Sequence, residues 1–151
     1  LLFINNCMAY KGKYIPTNPH KYIGNHRNVT YRSLWERRFM VYCDTTDKVV
    51  KWASEEVIIK YISPIDKKWH KYYPDFYVES VNQQGNVKQY LVEIKPKKQT
   101  KKPKQPSRKS KSFIWESREY VKNMSKWEAA KRFCDLKGWE FKILTEDHVT
   151  L

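Results

Sequence analysis

The 151-residue sequence predicts one α/β domain, a mixed central sheet flanked by helices, and three observations carry that expectation. A helical period begins near Ser33 and helical patterning returns in the last third of the chain. Between the two lie several short runs rich in Val, Ile, Tyr and Trp, which read as strands. A final alternating run, Trp139 to Leu144, follows the later helical region and adds one more strand. A hydrophobic content of 40%, of which a large part is aromatic, is enough for a packed core and argues against disorder.

Leu1 to Cys7 is apolar but short and lacks the basic start of a secretory signal, so it is expected to be an upstream extension of a working protein that begins at Met8. Met8 to Asn28 is rich in Lys, Tyr, Asn, Pro and His without periodicity, which makes residues 1–28 an N-terminal extension and basic arm and residues 29–151 the domain itself. The arm either lies along an anionic partner or wraps the domain. Ser33-Leu34-Trp35-Glu36 has the form of a capping box, and Trp35, Phe39 and Tyr42 continue it at helical spacing. Glu36 is then explained either as the glutamate of that box or as an acidic group offered to a site beyond the helix.

Val49 to Ser54 and Val57 to Ile62 are strand-like and separated by Glu55-Glu56, which either flank a site or are simply solvated. A turn at Ser63-Pro64 and Asp66-Lys67 leads into an extended segment with Tyr72, Tyr73, Phe76, Tyr77 and Val78, and a second carries Tyr90, Leu91, Val92 and Ile94. These two segments hold the most telling residues, Pro74-Asp75 and Glu93-Ile94-Lys95. Side chains at i and i+2 of a strand share a face, so Glu93 and Lys95 project together and Ile94 points the other way. Pairing of the two segments brings Asp75 beside Glu93. Two hard oxygen ligands with an ammonium alongside suit Mg²⁺ and a phosphate, because Mg²⁺ keeps several waters and takes one or two carboxylates. The plainer alternative is a surface ion pair between Glu93 and Lys95. Against it, Glu93 sits in an apolar run where an uncompensated carboxylate is costly.

Composition shifts sharply after Lys95. Residues 96–111 form a basic loop with three prolines and no acidic residue, expected to be mobile, and Lys97, Lys98, Lys101, Lys102, Lys104, Arg108, Lys109 and Lys111 are its candidate phosphate contacts. Helices are expected over Ile114 to Asn123 and, capped by Ser125, up to Lys137, with Gly138 as the stop. Thr145-Glu146-Asp147 has the composition of a short helix start. The formal charge of +14 exceeds what solubility needs and calls for an extended anionic partner, nucleic acid before a membrane surface. Cys7, Cys43 and Cys134 are too widely spaced for a zinc site or a disulfide framework. The four histidines are scattered as well, with His26 and His70 at most touching phosphate.

Glu36 on a first helix, Pro74-Asp75 and Glu93-Ile94-Lys95, in that order, resemble the PD-(D/E)xK nuclease superfamily. Tyr31 to Glu36, Glu93 to Lys98, Lys126-Trp127-Glu128-Ala129-Ala130 and Ile143 to Glu146 are similar, more narrowly, to the head completion nucleases of T4-type tailed phages. The resemblance spans roughly Met8 to Glu146, and the helix–PD–ExK layout is shared with the end-cutting subunit of certain transposases. It implies a restriction-endonuclease-like fold and a DNA endonuclease and exonuclease acting on packaged phage DNA. Mg²⁺, with Mn²⁺ as a substitute, would be held by Asp75, Glu93 and the Ile94 carbonyl, with Glu36 holding the metal indirectly or binding a second one, and Lys95 would complete the catalytic set. Of Lys126 and Glu128 on the later helix, at most one would face the site, since an i, i+2 pair diverges on a helix. It further implies phage head or neck proteins as partners and the host cytoplasm during assembly, or the virion itself, as the place of action; neither a membrane nor an organic cofactor is expected.

Overall fold

The last third of the chain returns to the sheet beside the strand that it left. The computed structural model describes residues 10–149, so the expected extension over Leu1 to Cys7 and the start at Met8 lie outside the described residues. In chain order the elements are β1 (Gly12–Tyr14), β2 (Val29–Tyr31), α1 (Leu34–Thr45), β3 (Val49–Ser54), β4 (Ile59–Ile62), β5 (Trp69–Tyr72), β6 (Phe76–Val81), β7 (Val87–Ile94), α2 (Lys111–Lys137), β8 (Glu140–Leu144) and α3 (Glu146–Val149). A four-stranded sheet runs in the order β3-β6-β7-β8, antiparallel except where β8 lies parallel to β7. That parallel pair needs a crossover, which α2 supplies. The mixed α/β architecture with helices on the sheet is thus the restriction-endonuclease-like arrangement that the sequence leads one to expect.

Each face of the sheet has its own core. On one, Trp35, Phe39, Met40 and Cys43 of α1 pack on Trp52, Phe76, Val78, Val92 and Ile94. On the other, Trp127, Ala130 and Cys134 of α2 pack on Leu91 and on the β4–β5 ribbon through Ile59, Tyr61 and Tyr72. The period-2 alternation of β7 sends Val92 and Ile94 to the α1 side, and Leu91 and Glu93 to the α2 side.

Three details depart from the sequence expectations or decide between them. The run from Tyr72 to Val78 is not one strand. It breaks at Tyr73-Pro74-Asp75, so β5 pairs only with β4 in a separate ribbon while β6 joins the central sheet; proline has no N–H to give a ladder. The two expected helices are one 27-residue helix, which starts at the N-cap Ser110, whose hydroxyl oxygen accepts from the Phe113 N–H, and passes straight through Ser125. Gly138 ends it in the left-handed conformation at φ 72°, as expected. Finally, the segment before α1 wraps the domain. β1 pairs with β2, and the buried Asp44 carboxylate accepts from the Tyr14 hydroxyl at 2.7 Å and from the Thr17 and Asn18 N–H groups at 2.7 and 2.9 Å.

Candidate active site

The β6–β7 register builds the site. Phe76 pairs with Val92 at the end of the ladder, and just before Phe76 the chain brings Asp75 into the cavity that Glu93 also lines. Pro74 ends the strand there, and the Asp75 side chain takes over the hydrogen bond: its Oδ2 accepts the Ile94 N–H at 2.7 Å. The Lys95 N–H donates to the Leu144 carbonyl at 2.8 Å and so ties the end of β7 to β8. Glu93 is buried, with a side chain only 7% exposed. Its Oε2 accepts the Tyr72 hydroxyl at 2.6 Å, and its Oε1 lies 3.3 Å from the Lys95 ammonium.

The electrostatics follow from that crowding. Loss of solvent, then the proximity of Glu93 and of Glu36, hold the Asp75 carboxyl well above the ordinary carboxylate range, against the opposing pull of the Ile94 N–H and Lys95. Burial and the Glu93 carboxylate push the Tyr72 hydroxyl far up, so it stays protonated and donates. Burial, and then the neighbouring Lys95, push the Lys126 ammonium down. Lys126 sits 5.8 Å above the Tyr72 ring and 5.9 Å above that of Tyr61.

These groups open into a cavity of about 420 Å³, bounded by Arg32, Glu55, Lys71, Tyr73, Asp75 and Lys126 among others. At its edge Arg32 forms an ion pair with Glu55. Glu55 adopts φ 55°, a left-handed conformation that non-glycine residues seldom take, and its N–H donates to the Asp75 carbonyl at 3.1 Å. The strained residue is thereby fastened to the strand end that carries Asp75.

Glu36 stands in the first turn of α1, where half of the capping box forms as expected and its carboxylate reaches back to the residue before the cap. Its N–H donates to Ser33 Oγ at 3.1 Å, and its Oε2 accepts the Arg32 N–H at 2.8 Å. Burial raises its pKa, with the Arg32 and Ser33 hydrogen bonds opposing. The structure gives Glu36 its cap role, and its carboxylate also opposes ionisation of Asp75. Lys126 comes to the cavity, whereas Glu128 turns to solvent and pairs with Arg132 at 3.4 Å. In the basic loop, Lys97 is engaged by Glu146 and Asp147, while Lys98, Lys101, Lys102, Lys104, Arg108, Lys109 and Lys111 are exposed. His70 is paired with Asp66 at 2.8 Å. Arg32, Lys71, Tyr72 and Tyr73 line the cavity without having been singled out from sequence. A buried Glu93 needs a donor, but only the docking of the β4–β5 ribbon says that the donor is Tyr72.

The donor set fits a hard divalent cation. Two carboxylates forced together out of solvent, one of them resisting ionisation, gain from a positive charge between them, and Mg²⁺ asks for no more than that from a protein. Among the described residues, no group of three His, Cys, Asp or Glu side chains converges at ligand spacing.

A capped helix, an Asp at the start of one strand and Glu-x-Lys at the end of its neighbour define a nuclease of the PD-(D/E)xK type. The chain belongs to the TnsA-like endonuclease N-terminal family, whose model matches residues 46–146 and so takes in the site strands but not α1. It is also 35% identical over 144 residues to the head completion nuclease of Enterobacteria phage T4, an alignment that covers 93% of each chain.

Proposed function

We propose that this chain is a Mg²⁺-dependent DNA nuclease, with endonuclease and exonuclease action, that processes packaged phage DNA during head completion and head–tail joining in the host cytoplasm. The observation that carries the chemistry is that Asp75 and Glu93 share one cavity, with Lys95 3.3 Å from Glu93. The errand is supported by the name of the T4 relative and by the share of both chains that it covers. Phage head or neck proteins would then be its partners.

Asp75 and Glu93, with the Ile94 carbonyl, would hold the cation, and Glu36 would steady that arrangement from the end of α1. When bound, Mg²⁺ supplies Lewis-acid polarisation of the scissile phosphate and stabilises the leaving alkoxide; Mn²⁺ substitutes. Lys95 orients the attacking water or neutralises charge that builds on the phosphoryl oxygens. Tyr72 orients Glu93 by donating to one oxygen, which leaves the other for the site. Arg32, Lys71 and Lys126 line the cavity with positive charge where phosphates would lie. The exposed loop cations, Lys98 to Lys111, extend that field along the backbone, where they hold DNA without reading its sequence. Hydrolysis is by direct in-line attack: the Tyr72 hydroxyl is held protonated, and Cys43 and Cys134 are buried.

Plasmid nicking in Mg²⁺, in Mn²⁺ and in EDTA tests the reading. Asp75→Ala and Lys95→Ala are expected to bind DNA and to leave plasmid intact; nicking by both variants would remove the assignment. The matching family model also favours a second errand, transposase-type end cutting. A site-dead variant that yields normal virions would favour it over head completion, which calls for DNA-filled heads that fail to accept tails.

A further inference from the structure

The β4–β5 ribbon has one face turned away from the core, and its residues are unlike those of an ordinary solvated edge. The register pairs Lys60 with Lys71 and Ile62 with Trp69, and these four share the outer face, while Ile59, Tyr61 and Tyr72 face inward. Trp69 is 69% exposed, and the outer face carries no acidic residue. Along the chain, Trp69, Lys71 and Tyr73 follow at every second position, and the last two already line the site cavity. Tyr73 is exposed too, and Asp75 lies only two residues beyond it. The exposed indole thus stands on the same strand face as Lys71, which lines the site cavity, and Tyr73 follows just past the strand end.

We infer that this face is a platform for an unpaired DNA strand. It rests on the nuclease reading and names its substrate class: DNA that carries a single-stranded segment, such as a flap, gap or overhang. A duplex offers phosphates but keeps its base faces sealed in the stack, so it gives an exposed indole nothing to pack against. An unpaired strand offers both, and aromatic faces set among lysines are what hold bases and phosphates together. Successive same-face positions of a strand advance by about 6.6 Å, so Lys71 stands at about the right reach from Trp69 to meet the phosphate next to a base stacked on the indole. The positive charge of the cavity wall continues the track inward through Arg32 and Lys126.

The test measures anisotropy of a labelled 15-nucleotide oligo(dT) and of a duplex of equal length, in EDTA. Trp69→Ala is expected to weaken oligo(dT) binding about tenfold, the scale of one lost base stack, and duplex binding much less. Trp69→Phe, which keeps a ring, is expected to restore most of the affinity. Unchanged oligo(dT) affinity in Trp69→Ala, or equal losses on both ligands, would overturn the platform; the second outcome would make Trp69 a general DNA anchor, and the first would leave the face to a protein partner. In Mg²⁺ the wild-type protein should cut a flapped duplex several-fold faster than a blunt one, with the advantage lost in Trp69→Ala. Equal cutting of both substrates by both proteins sinks the platform and leaves the nuclease standing. If the wild type cuts neither, the nuclease reading fails, and the binding arm still decides the platform.

Discussion

Asp75→Asn is expected to make the metal-free protein more stable while it abolishes cleavage. Asp75 and Glu93 line one cavity closely enough to oppose each other's charge, and neighbouring side chains at the end of a strand pair stand about 5 Å apart. Two unit charges at about that distance, in a medium of effective permittivity about 20, repel by roughly 3 kcal/mol. Lys95 and the Ile94 N–H offset part of this, and an asparagine oxygen still accepts the Ile94 N–H, so a net gain of about 1–2 kcal/mol is expected. For a domain of this length that corresponds to a rise in Tm of about 2–8 °C. The sign has a pH signature. The folded-state pKa of Asp75 lies above its unfolded value, so the native state binds the extra proton, and the wild type loses stability as pH rises from the ordinary carboxylate range to the raised value. The variant's advantage should therefore be smaller at pH 5 than at pH 8. Thermal melts of both proteins in EDTA at the two pH values measure it, and millimolar Mg²⁺ should raise Tm of the wild type only. A variant that melts below the wild type at pH 8, or that gains equally at both pH values, would refute the electrostatic account of the site.

Tyr72→Phe removes the buried donor to Glu93 and should cost about 1–3 kcal/mol in a denaturant melt, together with much of the nicking activity. Ser33→Ala should cost about 1 kcal/mol through the lost cap, with cleavage nearly intact. Glu36→Gln, which keeps an acceptor for the Arg32 N–H, should instead lower cleavage with little change in Tm. Asp44→Ala should destabilise the fold by several kcal/mol, because four hydrogen bonds converge on that buried carboxylate. Burial alone would raise the Asp44 pKa, but those bonds outweigh it and depress the value, so their contribution is present above the ordinary carboxylate range and lost as pH falls through the folded-state pKa. Replacing Lys101, Lys102 and Lys104 together by Ala should weaken duplex binding and flatten its salt dependence, by about 0.9 in the log–log slope for each phosphate that is no longer neutralised.

Local chemistry that repeats along the chain was legible without coordinates. The capping box at Ser33 marked the start of α1, and Gly138 marked the end of α2. The period-2 alternation of residues 90–94 set Glu93 and Lys95 on one face, and the charge excess named the class of partner. Continuity across breaks was not legible: the α2 sequence contains a serine that resembles a cap, and only its packing on the sheet keeps the helix unbroken through it. The partners of the site residues were hidden for a related reason. Tyr72 reaches Glu93, Arg32 reaches Glu55 and Lys126 reaches the cavity across sequence separations of about twenty residues or more, and each meeting depends on how the β4–β5 ribbon and the two helices settle on the sheet. A strand's periodicity says which side a carboxylate faces. Which groups desolvate it, and how far they shift its charge, is decided only when distant segments close over it.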